Sequence, residues 1–498
     1  RERAPVFVLA LGEIDELKCA AAAGALTYGF PLIADTALPE IMPFSPSVIT
    51  REAKQTEKIV SVPFNDIEGD SDAERAQKLV QYCLEVRGIK VKVSKLSLPV
   101  GYGSAFEGEV VRRGDLQIEF GGKGGTCFEW LTMKAMKEVQ DGKISLVGSD
   151  PTKTEVGANV PLGIVVEVAG PKMEKDFEPI LERQIHHFLN GAEGMQHQGQ
   201  RDITWIRISK AAVANGFNIH HLGHILHTKL REQFSGIADR VQITFYTEMD
   251  QVKELMEEAR KVYRERNERA AGLTDEAADT FYSCTLCQSF APSHVCVINP
   301  ERVGLCGAYN WFDCKAAYEI NPKGANQPVP KGIIIDPVKG EWEGVNKFVY
   351  EHSGMNIERF TIYSIMDAPM TTCGCCECVL AIVPEANGFL VVSREDYGMT
   401  PTGMTFSTLM GMIGGGHQTQ GMMGIGKYYL TSEKFIKAEG GIKRVVWMSK
   451  NLKEEMKQEL SQVSQREGVP DLLDKIADGT TVTTIEELLP FLEQKQHP

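Results

Sequence analysis

Four cysteines stand at Cys284-x2-Cys287-x8-Cys296-x9-Cys306. Thiolates at these gaps can close on a metal centre. Cys284 and Cys287 share one turn, and the other two return on loops. Thiolates are soft ligands that suit iron–sulfur clusters, zinc and copper(I). The run differs from the short-gap pattern of bacterial ferredoxins and lacks the second Cys-x2-Cys of a zinc ribbon. The spacing favours an iron–sulfur cluster, with zinc, or cysteines that merely pack in a core, as alternatives.

A second set follows at Cys373-Gly374-Cys375, with Cys376 and Cys378 close behind. A Cys-Gly-Cys tripeptide offers two thiolates and two backbone amide nitrogens in one plane. Gly374 has no Cβ, so the chain can flatten around an ion. A planar S2N2 set suits nickel(II) or copper(II). A zinc knuckle on Cys373, Cys375, Cys376 and Cys378, or a cysteine-rich turn with spare thiols, are the blander readings.

Other groupings are weaker. Gly421 to Tyr428 almost fits a phosphate loop, but Tyr428 stands where a magnesium-binding Ser or Thr belongs. His220, His224 and His227 share a helical face without an evident fourth ligand, which reads as ordinary surface. Gly121 to Gly125 reads as a flexible loop. Arg201, Trp205 and Arg207 alternate along an expected strand, where Arg207 could receive a phosphate and Trp205 stack an adenine. A strand with a solvated edge is the plainer alternative.

The elements that must position these residues divide into three regions. Residues 1–95 read as the C-terminal part of an α/β, Rossmann-like domain, a partial doubly wound unit. Pro5–Leu11 is an apolar run of the buried parallel kind, with a helical stretch Glu13–Ala23 after it. Ile59–Val62 reads as a strand, Ser71–Glu74 as a capping box, and Lys90–Leu98 as another strand. Residues 96–256 read as an α+β middle domain. Its expected strands are Leu162–Val168, Ile203–Ile208 and Val241–Tyr246, and its helices Asp176–Leu189 and His220–Phe234. Val252–Ala271 reads as a charged connecting helix at a border. Residues 257–498 form the expected C-terminal α+β metal-cluster domain, ending in a charged helical tail from Ser449. The chain thus reads as an α/β and α+β multidomain protein, and its first strand at the very start suggests a fragment of a longer one.

Composition bounds the function. Of 498 residues, 43% are hydrophobic and 24% charged, which suffices for more than one core and excludes general disorder. The net charge of −14, without a basic stripe, argues against nucleic acid. No apolar run reaches the ~18 residues that a membrane span needs. Nine of the 12 cysteines fall between Cys284 and Cys378. Concentrated thiols in a large chain point to a cytoplasmic metal protein rather than a disulfide scaffold.

Taken together, Cys284-x2-Cys287-x8-Cys296-x9-Cys306 and, 67 residues on, Cys373-Gly374-Cys375 resemble acetyl-CoA synthase. This is the acetyl-forming subunit of the carbon monoxide dehydrogenase/acetyl-CoA synthase system. The flanking Ser283–Phe290 and Met370–Cys378 share the likeness, which is strongest in the third region. The resemblance implies a [4Fe–4S] cluster on Cys284, Cys287, Cys296 and Cys306. It implies a proximal nickel bridged by Cys287, Cys373 and Cys375, and a distal nickel on Cys373, Gly374 and Cys375. It further implies a Wood–Ljungdahl carbon-fixation reaction in which a methyl group from a corrinoid iron–sulfur protein, carbon monoxide and coenzyme A become acetyl-CoA. Phe290 would line a carbon monoxide pocket, and Trp205 and Arg207 would touch coenzyme A. The family's N-terminal portion, which docks on the carbon monoxide dehydrogenase subunit, is expected to be mostly missing. Exposure of nickel to a large methyl donor, against shelter for carbon monoxide, would demand hinged domains, with Val252–Ala271 near the hinge. An electron-transfer protein carrying only the [4Fe–4S] cluster would leave Cys373-Gly374-Cys375 without a role. A zinc-stapled scaffold that binds coenzyme A or a corrinoid protein is the third reading.

Overall fold

The structure, a computed structural model, describes residues 8–10, 32–34 and 96–498 except 97, 104, 105, 123, 124 and 271. The chain forms two compact units, residues 1–94 and 95–498. In the first, Val8–Ala10 and Leu32–Ala34 pair in parallel, Val8 opposite Leu32. The expected helix Glu13–Ala23, strand Ile59–Val62 and capping box Ser71–Glu74 lie outside the described residues. So does the expected strand from Lys90, whose described end, Leu96 and Leu98, is irregular.

In the second unit, residues 96–270 build two four-stranded mixed sheets. One runs Ala158–Val160, Leu116–Phe120, Trp205–Ser209, Met195–Gln198. The other runs Cys127–Met133, Leu162–Ala169, Arg240–Tyr246, Ile144–Val147. Side-chain alternation decides the layers. Val241, Ile243 and Phe245 enter a core shared with the helices Glu178–Leu189 and Ile219–Gln233. The opposite face of the same sheet carries Phe128, Val165 and Tyr246. It is covered by Val252, Met256, Ala259 and Tyr263 of the helix Met249–Glu268.

Residues 272–498 hold an antiparallel sheet in the order Cys296–Ile298, Thr280–Cys284, Pro328–Pro330. They also hold a four-stranded sheet in the order Met422–Ile425, Cys378–Val383, Gly388–Ser393, Val445–Met448. A single large core joins both sheets to the C-terminal helices Lys457–Arg466 and Ile485–Lys495. No helix of the described residues is long and apolar enough to cross a membrane.

Two expectations change. The strand anticipated from Ile203 begins at Trp205, because residues 201–203 form a tight helical turn. Arg201 therefore leaves the face it was expected to share with Trp205 and Arg207. The expected flexible loop Gly121–Gly125 is tightly packed at Gly121, while its Lys123 and Gly124 lie outside the described residues. Gly121 has φ +76 and lies so close to the Thr204 carbonyl that a Cβ there would meet it at 2.5 Å.

Candidate metal centre

The cluster cysteines sit where sheet edges end. Cys284 closes the strand Thr280–Cys284 and faces Cys296, the first residue of Cys296–Ile298, across the antiparallel ladder. Cys287 lies in the tight turn Leu286–Ser289, its carbonyl accepting from the Phe290 and Ala291 amides at 3.1 and 3.0 Å. Cys306 lies in a turn closed by Gly307 N–H to the Gly304 carbonyl (2.8 Å). Cys284, Cys287 and Cys296 are buried and Cys306 partly so. From a different segment, the loop before Cys378–Val383 brings Cys373 and Cys375 to Cys287. The three sulfurs lie within 4.8 Å of one another. Among the described residues no other trio of metal-binding side chains converges like this. Cys376 and Cys378 stay out of it: the Cys376 thiol meets Met410 sulfur at 3.1 Å, and Cys378 is a paired strand residue. That arrangement speaks against a knuckle of four neighbouring cysteines.

Gly374 has φ +113, a backbone state that favours glycine, and the place of its missing Cβ is open for 4 Å. The Cys375 amide points at Cys373 sulfur, 3.4 Å away. Cys373 and Gly374 are half-buried, whereas Cys375 is buried, so one side of the tripeptide is the more open one.

Burial pushes the Cys296 thiol up to about 12 and raises Cys306 as well. Within the trio, hydrogen bonds from Cys287 and Cys373 hold Cys375 well below the usual thiol range, while Cys373 is raised. Of the crowded thiols, Cys375 is thus the one that parts most readily with its proton. A bound cation lets the others ionise and releases their protons. Three soft donors converging on one point, two of them from a Cys-Gly-Cys tripeptide, fit a thiophilic metal.

The helix Glu178–Leu189 supplies neighbours that sequence reasoning missed. Arg183, fully buried, donates from Nη2 to Cys287 sulfur at 3.4 Å. One turn on, His186 packs edge-on to Phe290, ring centres 5.9 Å apart. His197 Nε2 meets Glu129 Oε2 at 2.7 Å, and His186 Nδ1 meets His197 Nδ1 at 2.9 Å. With Glu129 as acceptor, His197 carries its proton on Nε2 and accepts on Nδ1 from His186. His186 Nε2 then accepts from Asn190 (3.3 Å). Burial, then the Arg183 charge, holds His186 well below its ordinary range, so the ring is neutral. His294, buried and 2.8 Å from Thr371 Oγ1, is pushed down to about 4 by burial. Arg201, expected on a strand face, is instead buried with φ +54. It donates to the carbonyls of Gly307 and Ala308 at 2.8 and 2.7 Å, just beyond Cys306.

Phe290 is half-buried at the edge of the cysteine group. Trp205 and Arg207 lie away from it, on the sheet with Leu116–Phe120, and are already engaged. Both donate to Glu119 Oε1 (2.9 and 2.8 Å), and the guanidinium lies 4.2 Å over the indole. Of the three histidines, His220 and His224 are exposed and His227 pairs with Asp141 at 2.9 Å, as on an ordinary surface. The glycine-rich run from Gly421 is the buried strand Met422–Ile425, and Lys427 is held by Glu455 at 2.6 Å.

Fold and site together define a mixed α/β protein with a thiolate-built metal centre. Comparison with known proteins narrows this. Residues 98–252 match the model of the CO dehydrogenase/acetyl-CoA synthase complex beta subunit, and residues 263–498 match that of the C-terminal region of the ACS/CODH beta subunit. The chain is 51% identical to the carbon monoxide dehydrogenase/acetyl-CoA synthase subunit alpha of Moorella thermoacetica over 100% of its own length and 65% of that protein's. It is 43% identical to the acetyl-CoA decarbonylase/synthase complex subunit beta of Methanopyrus kandleri, over 81% of this chain and 85% of that one. The solved C-terminal domain of an acetyl-coenzyme A synthase alpha subunit is 53% identical over 26% of this chain and 94% of that domain, with a TM-score of 0.24. The chain belongs to the CO dehydrogenase/acetyl-CoA synthase beta-subunit family, whose membership implies nickel and iron–sulfur cofactors.

Proposed function

We propose that the chain forms acetyl-CoA from a methyl group carried by a corrinoid iron–sulfur protein, carbon monoxide and coenzyme A. The observation that carries this reading is the convergence of Cys287, Cys373 and Cys375 within 4.8 Å from two separate segments. Cys284, Cys287, Cys296 and Cys306 would hold a [4Fe–4S] cluster. Cys287, Cys373 and Cys375 would hold a proximal nickel, and Cys373, Gly374 and Cys375 a distal one. A nickel held there by three thiolates would supply an electron-rich metal, the chemistry needed to join a methyl to carbon monoxide and pass the product to a thiol. The chain's own residues do the rest. Phe290, braced by His186, walls the side from which a small apolar gas would be sheltered. The neutral His186 and His294 add no competing charge beside the thiolates. Trp205 and Arg207 are the candidates for coenzyme A, with a phosphate joining Glu119 as a partner of Arg207. A corrinoid protein and a carbon monoxide dehydrogenase subunit are the expected partners.

Anaerobic metal analysis of the chain and of Cys375→Ser tests the reading. About four iron and two nickel per chain, with nickel but not iron lost in the variant, support it. Zinc without iron or sulfide would overturn it. Acetyl-CoA formation from a methyl donor, carbon monoxide and coenzyme A is the functional arm.

A further inference from the structure

Arg183 is a buried cation with no carboxylate to answer it. Among the described residues none forms an ion pair with it, and its neighbour Glu182 is taken by Arg266 at 2.9 Å and Arg201 at 3.4 Å. Its Nη2 reaches Cys287 sulfur at 3.4 Å, while among the described residues Nε and Nη1 have no hydrogen-bond partner. Isolated buried charges are costly, and buried donors are rarely left unmade. A guanidinium with spare donors therefore needs an anion on its far side. The adjacent histidine cannot serve, because His186 is neutral and is locked to His197 and Asn190.

We infer that Arg183 is the built-in counter-cation of the iron–sulfur cluster, placed by the Glu178–Leu189 helix to donate to the bridging sulfur of Cys287 and to raise the cluster's reduction potential. The inference rests on the proposal that Cys284, Cys287, Cys296 and Cys306 hold that cluster. One-electron reduction adds one negative charge to the cluster, and a fixed cation in a low-dielectric pocket favours the more negative state. Hydrogen bonds to cluster sulfurs act in the same direction. Arg183 is thus a positioning residue: it works through Cys287, not on the reacting fragments.

The test is a redox titration of the anaerobically loaded full chain, followed by electron paramagnetic resonance, with iron and sulfide counted in the same samples. At the parent's midpoint, Arg183→Gln should lower the reduced-to-oxidised ratio at least tenfold, a downward shift of ~59 mV for a one-electron couple. Arg183→Lys, which keeps the charge, should stay within about threefold of the parent. An unmoved midpoint in Arg183→Gln with full iron content overturns the inference. If Arg183→Gln does not assemble a cluster, the lysine variant decides: a shift of tenfold or more there shows that charge is not the cause. A parent chain without iron or sulfide overturns the cluster reading itself, and the iron count tells the two failures apart.

Discussion

Replacing Arg201 with methionine should loosen the loop that carries Cys306. Arg201 sits at φ +54, a conformation that costs a side-chain-bearing residue roughly 1–2 kcal/mol. Its contacts must exceed that cost. Two are charged hydrogen bonds to the carbonyls of Gly307 and Ala308, at 2.8 and 2.7 Å. Methionine fills much of the same space but donates nothing, so each carbonyl is left unpaired at about 1–3 kcal/mol. Glu182 loses a 3.4 Å ion pair yet keeps Arg266 and the Leu131 amide, both at 2.9 Å, so it is not stranded. The net loss should be about 3 kcal/mol, within the range seen when one member of a buried polar pair is removed. That corresponds to about a hundredfold in a local opening equilibrium. Two assays read it. Iron should leave the loaded variant to a strong chelator about a hundred times faster than it leaves the parent. In metal-free protein, the Gly307 amide, which donates to Gly304, should exchange its hydrogen correspondingly faster. Arg201→Lys, with one strong donor instead of a fork, should fall between the two. Changes below threefold in both assays would refute the reasoning, because the two carbonyl contacts would then not hold the loop.

Two further outcomes follow from charges away from the metal. Burial pushes the Asp275 carboxyl up to about 6, against the lowering effect of Tyr363 and Lys434. A raised folded-state value means that its contribution to stability is full below the unfolded value of about 3.9 and is lost as pH rises through 6, by about 3 kcal/mol. Asp275→Asn, whose amide oxygen can still accept from Tyr363 and Asn299, should flatten this fall in urea midpoints between pH 4 and 6.5; equal slopes in both proteins would sink the argument. If Trp205 and Arg207 bind coenzyme A, Arg207→Gln should weaken it about tenfold or more by calorimetry, the worth of a charge-assisted hydrogen bond. Glu119→Gln, which frees the guanidinium, should tighten it, and unchanged affinity in both variants would place the ligand elsewhere.

Local pattern carried the long elements because their faces are simple. Arg240–Tyr246 alternates apolar and polar residues, and Leu162–Ala169 is apolar but for Glu167 and Gly163, so both strands were legible within a residue or two. Cys-Gly-Cys stood out as a candidate ligand set because its donors lie within one tripeptide. Its meeting with Cys287 has no local signal: 86 residues separate Cys287 from Cys373, and a family resemblance had to supply the link. Arg183 and His186 were missed for a physical reason. Ile180, Leu181, Ile185, Phe188 and Leu189 make one apolar stripe, and Glu182, Arg183 and His186 on the other side read as solvated. In the fold that second side is buried too, against the cysteine loops. Arg201 was misread because its left-handed backbone opens a tight turn over residues 201–203 and delays the strand to Trp205.

The same contacts bear on how the centre could open. The cysteines belong to residues 284–375, yet the cations beside them come from the middle region. Arg183 holds Cys287, and Arg201 holds the Cys306 loop. The helix Met249–Glu268 and its end add Arg260 to Asp202 and Glu395, and Arg269 to Asp313. The Arg260–Glu395 pair is partly exposed and contributes little, whereas Asp313 is buried beneath Arg269. Arg183 and Arg201 are buried, and separating each from its partners costs several kcal/mol. A hinge at the Met249–Glu268 helix that parted the middle region from the cysteine loops would break the costly contacts along with the cheap ones. For the proposed methyl donor, access is less costly from the side of Cys373 and Gly374, the half-buried members of the group, where the place of the missing Cβ is already open. Movement that exposes this side leaves Arg183 on Cys287 and Arg201 on its loop. On the proposed function, the surroundings of the cluster would then stay constant while the nickel side is uncovered.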